Sequence, residues 1–348
     1  MARTYNRGEW SEIYVFLQSL AQGYFEVKDA SLNTTLDTLK IEHLVRNNYS
    51  DTQENSFLPS QLEAKEFEQA ANILFNTIAN STLTTFAIQE MECFAKKHDF
   101  SLTKANSSSK SDLSGTIYDH SGKISPLLGY SIKSNIRAAA TLLNASSHTN
   151  FRYQVTGITD SQAAQVNSIN TRTKLQDRIW LIQEFGGEVH FKQVDSEAFS
   201  NNLRMIDSNL AKVLAEALLL FYTHKKGQFF NIIPLLAQAN PLNLSEPCLQ
   251  VYEGIIHRFL SRIAFNFMPS KAPSALDNKL IFAGLLLVDN QGKISLLDNI
   301  YHADQLYNYL FNNLKFESPS SSRYHMLELR KISNKKYEFT LNLQIRFI

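Results

Sequence analysis

Residues 112–134 read DLSGTIYDHSGKISPLLGYSIKS, and the fold turns on how this stretch is read. Asp112 to Tyr118 and Leu127 to Lys133 have the length and apolar content of two strands, and Ser121 and Gly122 supply turn chemistry within Asp119 to Lys123. If the turn centres between Ser121 and Gly122, antiparallel partners carry residue numbers that sum to about 243. Asp112 then faces Ser131, two positions from Lys133, while Asp119 falls beside the turn. A bulge would shift this register by one. A hairpin of this kind sets an acid and a lysine side by side, as a metal-dependent nuclease requires at one phosphate. The reading makes Asp112 the metal-binding acid and Lys133 the group that orients or activates water.

Ser131 is the awkward residue. The PD-(D/E)XK nuclease pattern has a carboxylate two residues before its lysine, and here the order is Ser131, Ile132, Lys133. A hydroxyl is a poor substitute for an anionic ligand on a hard cation such as magnesium. The second carboxylate must come from elsewhere, and residues 120–159 contain no acid at all. Glu9 and Glu12, three apart on a first helix, share a face and are the candidates, Glu12 first and Glu9 second. Blander accounts exist: an Asp and a Lys often share a hairpin without chemistry, and a Glu-x-x-Glu pair is commonly a solvated helix face.

Outward from the hairpin, Ile13, Phe16, Leu17 and Leu20 recur at helical spacing over Glu9 to Leu20. Phe67, Ala71, Leu74 and Ile78, then Phe86, Ile88, Met91 and Phe94, mark one or two helices within 60–98. A polar loop at 105–111 follows. Beyond Lys133 the pattern predicts a helix at Ile136 to Leu143, strands at Phe151 to Ile158 and Glu188 to Val194, and helices near 174–185, 196–223 and 246–266. A seam at 269–273 leads to a second hairpin, Leu280 to Val288 with Lys293 to Leu297. A helix over His302 to Leu314 and a strand over Tyr337 to Ile348 complete the chain. The expected architecture is α/β: a mixed sheet flanked by helices, a variant PD-(D/E)XK-like core with a helical insertion and a C-terminal α/β region. The corresponding domains are 1–195 (nuclease core with N-terminal helices), 196–272 (helical) and 273–348 (C-terminal recognition region).

The 348 residues carry 34 Lys+Arg against 33 Asp+Glu, a net charge of +1, and 44% hydrophobic residues. A polybasic tail-type binder is excluded, whereas a large core is affordable. The charge is uneven. Residues 51–100 hold eight acids and three bases, 120–159 hold only the bases Lys123, Lys133, Arg137 and Arg152, and 313–348 hold seven bases and three acids. Two cysteines, Cys93 and Cys248, build neither a disulfide framework nor a zinc site. With no signal-like apolar start and no apolar stretch long enough to span a bilayer, the expectation is a cytoplasmic protein without membrane contact.

Five segments then point to a family. RGEWSEIY at 7–14, GYSIKS at 129–134, TLLNAS at 141–146 with TNF at 149–151, SPSSSR at 318–323 and LNLQIRF at 341–347 occur in order along nearly the whole chain. In these the sequence resembles the HpaII-type restriction endonucleases. The resemblance implies a type II enzyme that uses Mg2+ to cut both strands of double-stranded DNA at a short palindrome. CCGG is the leading target, products carry 5′-phosphates, and the functional partner is a protective DNA methyltransferase. A palindrome is most simply cut by a homodimer, formed at least on DNA. The alternative is a sequence-specific DNA-binding protein whose nuclease site has decayed, as Ser131 suggests.

Phosphate contacts position a protein on DNA and base edges specify sequence. Arg137 and Arg152 suit the first task, and Asn144, Ser146 and Asn150 either one. On the terminal strand Leu341, Leu343, Ile345 and Phe347 alternate with Thr340, Asn342, Gln344 and Arg346, so the second set is expected on an outward polar face. Asn, Gln and Arg suit bidentate base contacts. A merely solvated strand face would show the same alternation, and it is the resemblance that makes Gln344, Arg346 and Arg323 candidates for DNA contact, with Asn342 beside them.

Overall fold

The computed structural model describes residues 3–46, 56–102, 111–119, 121–246, 248–265, 269–271 and 281–348. The predicted polar loop at 105–111 (Ser111 apart), His120 and the end of the predicted seam at 272–273 lie outside the described residues. By contacts the chain forms two units, 1–140 with 264–267 and 275–309, and 141–263 with 268–274 and 310–348.

The first unit begins with the short strand β1 (Tyr5–Asn6) and α1 (Arg7–Gln22). Strands β2 (Tyr24–Lys28), β3 (Thr34–Val45) and β4 (Ser56–Phe57) follow, then α2 (Ala64–Asn80), β5 (Thr85–Phe86) and α3 (Gln89–Lys97). The hairpin is β6 (Leu113–Ile117) and β7 (Leu128–Ser134). The second unit supplies β8 (Thr141–Leu143), β9 (Asn150–Thr156), α4 (Asp160–Ser168), α5 (Lys174–Glu184) and β10 (Glu188–Val194). Helices α6 (Glu197–Ile206), α7 (Leu210–His224), α8 (Phe229–Ala239) and α9 (Leu249–Ala264) come next. The chain returns to the first unit with β11 (Ile281–Val288) and β12 (Ile294–Asp298). It then runs through α10 (Ala303–Asn313) into β13 (Leu314–Phe316), β14 (Arg330–Ser333), β15 (Lys336–Asn342) and β16 (Ile345–Phe347).

A seven-stranded mixed sheet, in the order β2-β12-β11-β7-β6-β3-β4, organises the first unit. The β7–β11 and β2–β12 pairs are parallel, and β3 is long enough to pair with β6 through its second half and with β2 through its first. The sheet therefore curls until β3 joins its two ends. On the face lined by Leu44, Leu113, Tyr130 and Ile132 lies α1, which buries Trp10, Ile13, Phe16, Leu17 and Leu20. Four of these are the residues whose spacing predicts the helix, and each such side chain contributes about 1.5–3 kcal/mol on burial. The predicted stripe Phe67, Ala71, Leu74 and Ile78 of α2 is equally buried. This is an α/β fold with a mixed sheet flanked by helices.

The second unit carries a four-stranded antiparallel sheet, β10-β9-β15-β14, and a three-stranded one, β13-β16-β8. Phe151, Tyr153 and Val155 of β9 and Tyr337, Phe339 and Leu341 of β15 form the buried face. Tyr153 stacks on Phe339 with ring centroids 5.1 Å apart, and its hydroxyl donates to the Ala215 carbonyl of α7 at 2.7 Å.

Three expectations need correction. Ile136 to Leu143 is not a helix: bends at 136–138 lead into β8, because the Asn135 side chain accepts the Ala140 N–H at 2.8 Å. That local bond outcompetes the helix propensity of three alanines. The helix predicted over 196–223 breaks between α6 and α7, where Asp207 accepts the Leu210 and Asn209 N–H groups. The terminal strand divides at Leu343–Gln344, where the Leu343 N–H turns to the Thr149 carbonyl.

Candidate catalytic hairpin

Leu113↔Tyr130, Ser114↔Gly129 and Gly115↔Leu128 are partners, and each pair sums to the predicted 243. Nearer the tip the sum is 242, as in the Tyr118↔Ile124 bridge, so the one-residue slip sits in the strand leading to Pro126, which has no N–H to give. At the turn Gly122 has φ +74°, and the Asp119 carboxylate accepts the Ser121 and Lys123 N–H groups at 2.8 Å. Asp119 is thus committed to the turn. Gly115 allows β3 to approach, since a Cβ there would meet the His43 carbonyl oxygen at 2.5 Å.

Asp112 stands at the open end of this hairpin. Its N–H donates to the Tyr130 carbonyl at 3.0 Å. Its Oδ2 accepts the Ile132 N–H at 2.7 Å and the Ser131 hydroxyl at 3.2 Å. Ser131, which is fully buried, therefore faces Asp112 as the register predicts and orients its carboxylate. Lys133 shares a face of β7 with Ser131, and no hydrogen bond or ion pair holds its Nζ among the described residues.

The two helical glutamates are used differently. Glu9 closes a capping box: its N–H donates to Asn6 Oδ1 at 3.0 Å and its carboxylate accepts the Asn6 N–H at 2.8 Å. Glu12 lies one turn further along α1, half-buried.

Arg46 is the residue that sequence reasoning missed. It follows β3, which pairs Val45 with Ser114, and it is 5% exposed. Its Nη1 donates to the Ser101 carbonyl at 2.6 Å, and its Nη2 has no partner among the described residues. Burial pulls the guanidinium down from its ordinary value, and Glu12, Tyr5, Glu9 and Asp112, in that order, oppose the shift. The three acids singled out in the sequence thus act on one buried cation. Among the described residues no group of three or more His, Cys, Asp or Glu is arranged to hold a metal. The donors present still suit magnesium, which is commonly bound by one or two carboxylates and completed by water. Asp112 Oδ1 has no protein partner among the described residues.

Residues 6–347 match the family described as HpaII restriction endonuclease. The chain belongs to the HpaII restriction endonuclease family. It is 33% identical over 358 residues to the type II restriction enzyme HpaII of Haemophilus parainfluenzae, across 99% of this chain and 98% of that protein. No solved structure matches the chain. Membership makes this protein a type II restriction endonuclease, an enzyme of a class that binds and cuts double-stranded DNA and generally depends on a divalent metal. No helix among the described residues is long and apolar enough to cross a membrane.

The expected DNA-contacting residues other than Arg137 lie in the second unit. Arg137 is exposed on the bend after β7. Asn144 is exposed, and Ser146 caps the short turn 147–149 through the His148 N–H at 3.2 Å. Arg323 is exposed and lies over the Tyr324 ring, 5.5 Å from its centroid, while the Tyr324 hydroxyl donates to the Ala145 carbonyl at 3.1 Å. The structure so brings Arg323 toward the Asn144–Ser146 segment. Arg346 lies across from Lys315 on β13, and both are half-buried, as is Gln344.

Asn342 departs from its expected outward position. It is 0% exposed, its amide donates to the Ser146 carbonyl at 2.6 Å and to Asn150 Oδ1 at 2.7 Å, and its own Oδ1 accepts the Thr149 hydroxyl at 3.3 Å. The strand ends there, and three neighbouring polar groups close over the side chain that alternation alone would place outside. Arg152 is similarly engaged, with Asp195 at 2.8 Å and Glu338 at 3.5 Å, and Lys192 shares Glu338.

Proposed function

We propose that the protein hydrolyses double-stranded DNA at a short palindrome, with CCGG as the favoured target, and leaves 5′-phosphate and 3′-hydroxyl ends. The observation that carries this reading is the Asp112 carboxylate held by Ser131 and Ile132, on a hairpin that presents Lys133 from the face of Ser131. Asp112 and Glu12 would hold Mg2+, with Glu9 retained by the helix cap. The ion, when bound, lowers the pKa of water and neutralises developing charge. Lys133 positions the attacking water beside the phosphate, and Ser131 fixes Asp112 rather than serving as a ligand. The first unit is assigned the chemistry and the second the reading of DNA. There Arg323, Asn144, Gln344 and Arg346 supply the accessible contacts, with Arg137 on a phosphate. Asn342, Asn150, Ser146 and Arg152 hold the shape of that surface and reach DNA only if their present bonds are exchanged. A two-fold homodimer on DNA fits a palindromic target, and a cognate methyltransferase would protect the host DNA in the same cytoplasm.

The test is incubation with unmethylated plasmid and Mg2+, followed by sequencing of the cut ends. Discrete fragments from the wild type, lost in Asp112→Asn and lowered about 10²–10³-fold in Lys133→Ala, are expected. Tight, sequence-specific binding without cleavage under Mg2+, Mn2+ or Co2+ would overturn the proposal.

A further inference from the structure

Residues 330–336 read RKISNKK: four cations, no acid, and every residue exposed. They form the β14–β15 hairpin at one edge of the four-stranded sheet, with Arg330 opposite Glu338 and Lys331 opposite Tyr337. Among the described residues Lys331 alone of these four cations has a side-chain partner, the Asp160 carboxylate at 2.5 Å, which also accepts the Tyr337 hydroxyl. Lysines on an edge strand do discourage edge-to-edge pairing. That account does not reach Lys335, which sits in the turn at φ +53°, a conformation glycine or asparagine adopts more cheaply. A cation thus occupies a position whose backbone disfavours it.

β15 runs from this hairpin to Asn342, followed directly by Gln344 and Arg346. Six rises of about 3.3 Å place the two ends of the strand about 20 Å apart. Along B-DNA this is about six base pairs, more than a short palindrome covers from its centre. We infer that the Arg330–Lys336 hairpin is a second contact surface of this protein, one that holds the phosphate backbone of duplex DNA flanking the target. The partner is the same duplex and the recognised chemistry is phosphate, so the contact adds affinity without reading bases. It would serve the approach to a target along long DNA. The inference needs only that the protein binds DNA, and it stands or falls independently of Asp112, Glu12 and Lys133.

The experiment compares duplexes that carry the target with flanks of about three and about fifteen base pairs. Binding is followed by fluorescence anisotropy over a range of NaCl concentrations, with Ca2+ in place of Mg2+. For an Arg330→Gln, Lys335→Asn, Lys336→Gln variant, the slope of log K against log salt on the long duplex should fall by about two to three, at about 0.9 per phosphate contact. The same variant should match the wild type on the short duplex. Lys335→Asn alone should lose about one unit of slope on the long duplex while its thermal midpoint stays level or rises, which separates a contact from a folding role. Equal losses on both duplexes would overturn the inference, because the hairpin would then act at the target. Unchanged binding with increased aggregation would overturn it too, leaving the lysines as edge guards.

Discussion

A hydroxyl is a weaker cation ligand than a carboxylate, but it can set the direction of one. Ser131 donates to the same oxygen of Asp112 that the Ile132 N–H holds, so two donors fix the carboxylate plane. Ser131→Ala should leave the fold intact and lower the cleavage rate about 10–100-fold, the usual effect of removing such a support. Mg2+ titration of the cleavage rate together with a thermal melt checks both halves. Glu9 and Glu12 separate just as cleanly. Glu12→Gln should abolish cleavage and lower the melt, because Glu12 is the foremost counter-charge of the buried Arg46, whereas Glu9→Ala should keep most activity and lose about 0.5–2 kcal/mol of stability with its half of the capping box. Wild-type cleavage by Glu12→Gln would return the metal site to Glu9. Arg46 was invisible in the sequence because nothing in local spacing signals that a residue at a strand end will be buried beside carboxylates from two other elements.

At the scale of elements, the hairpin was legible because its turn residues fix a register, and the register fixes which side chains meet. The apolar stripes of α1 and α2 were legible for the same kind of reason, a period matched to a geometry. β3 was not read at all: Leu36, Thr38, Lys40 and Glu42 alternate with half-buried or buried partners, but half of the strand serves β2 and half serves β6. Its two jobs blur the pattern. Ile136–Leu143 failed because one asparagine side chain outweighed three alanines. In α7, burial raises the pKa of Glu216 above the ordinary glutamate value. A raised carboxyl favours the folded state only while protonated, so this contribution is full below the unfolded pKa and is lost as pH rises through the folded one. Glu216→Gln should therefore raise the thermal midpoint at pH 8 and leave it unchanged at pH 4, as calorimetry at the two pH values would register.

Across the whole molecule, a net charge of +1 conceals a body whose cations are gathered where DNA is proposed to lie, so affinity should fall steeply with salt although the protein is nearly neutral. Binding measured at low and at physiological salt tests this directly. The first unit is assembled from distant pieces: β7 takes β11 as its parallel neighbour, pairing Ser131 with Leu285 and Lys133 with Leu287. Chains ended at residue 270 should accordingly fail to cut DNA even with Asp112, Ser131 and Lys133 all present, and a plasmid assay on the truncated protein would reveal any activity. The same pairing sets a clock during synthesis. The strand that must cover β7 is made about 150 residues after it, an interval of about 8–30 seconds at ordinary rates of translation. For that time the ribosome holds the hairpin of Asp112, Ser131 and Lys133 without its neighbouring strand, so the proposed site is completed only as the last part of the first unit is made.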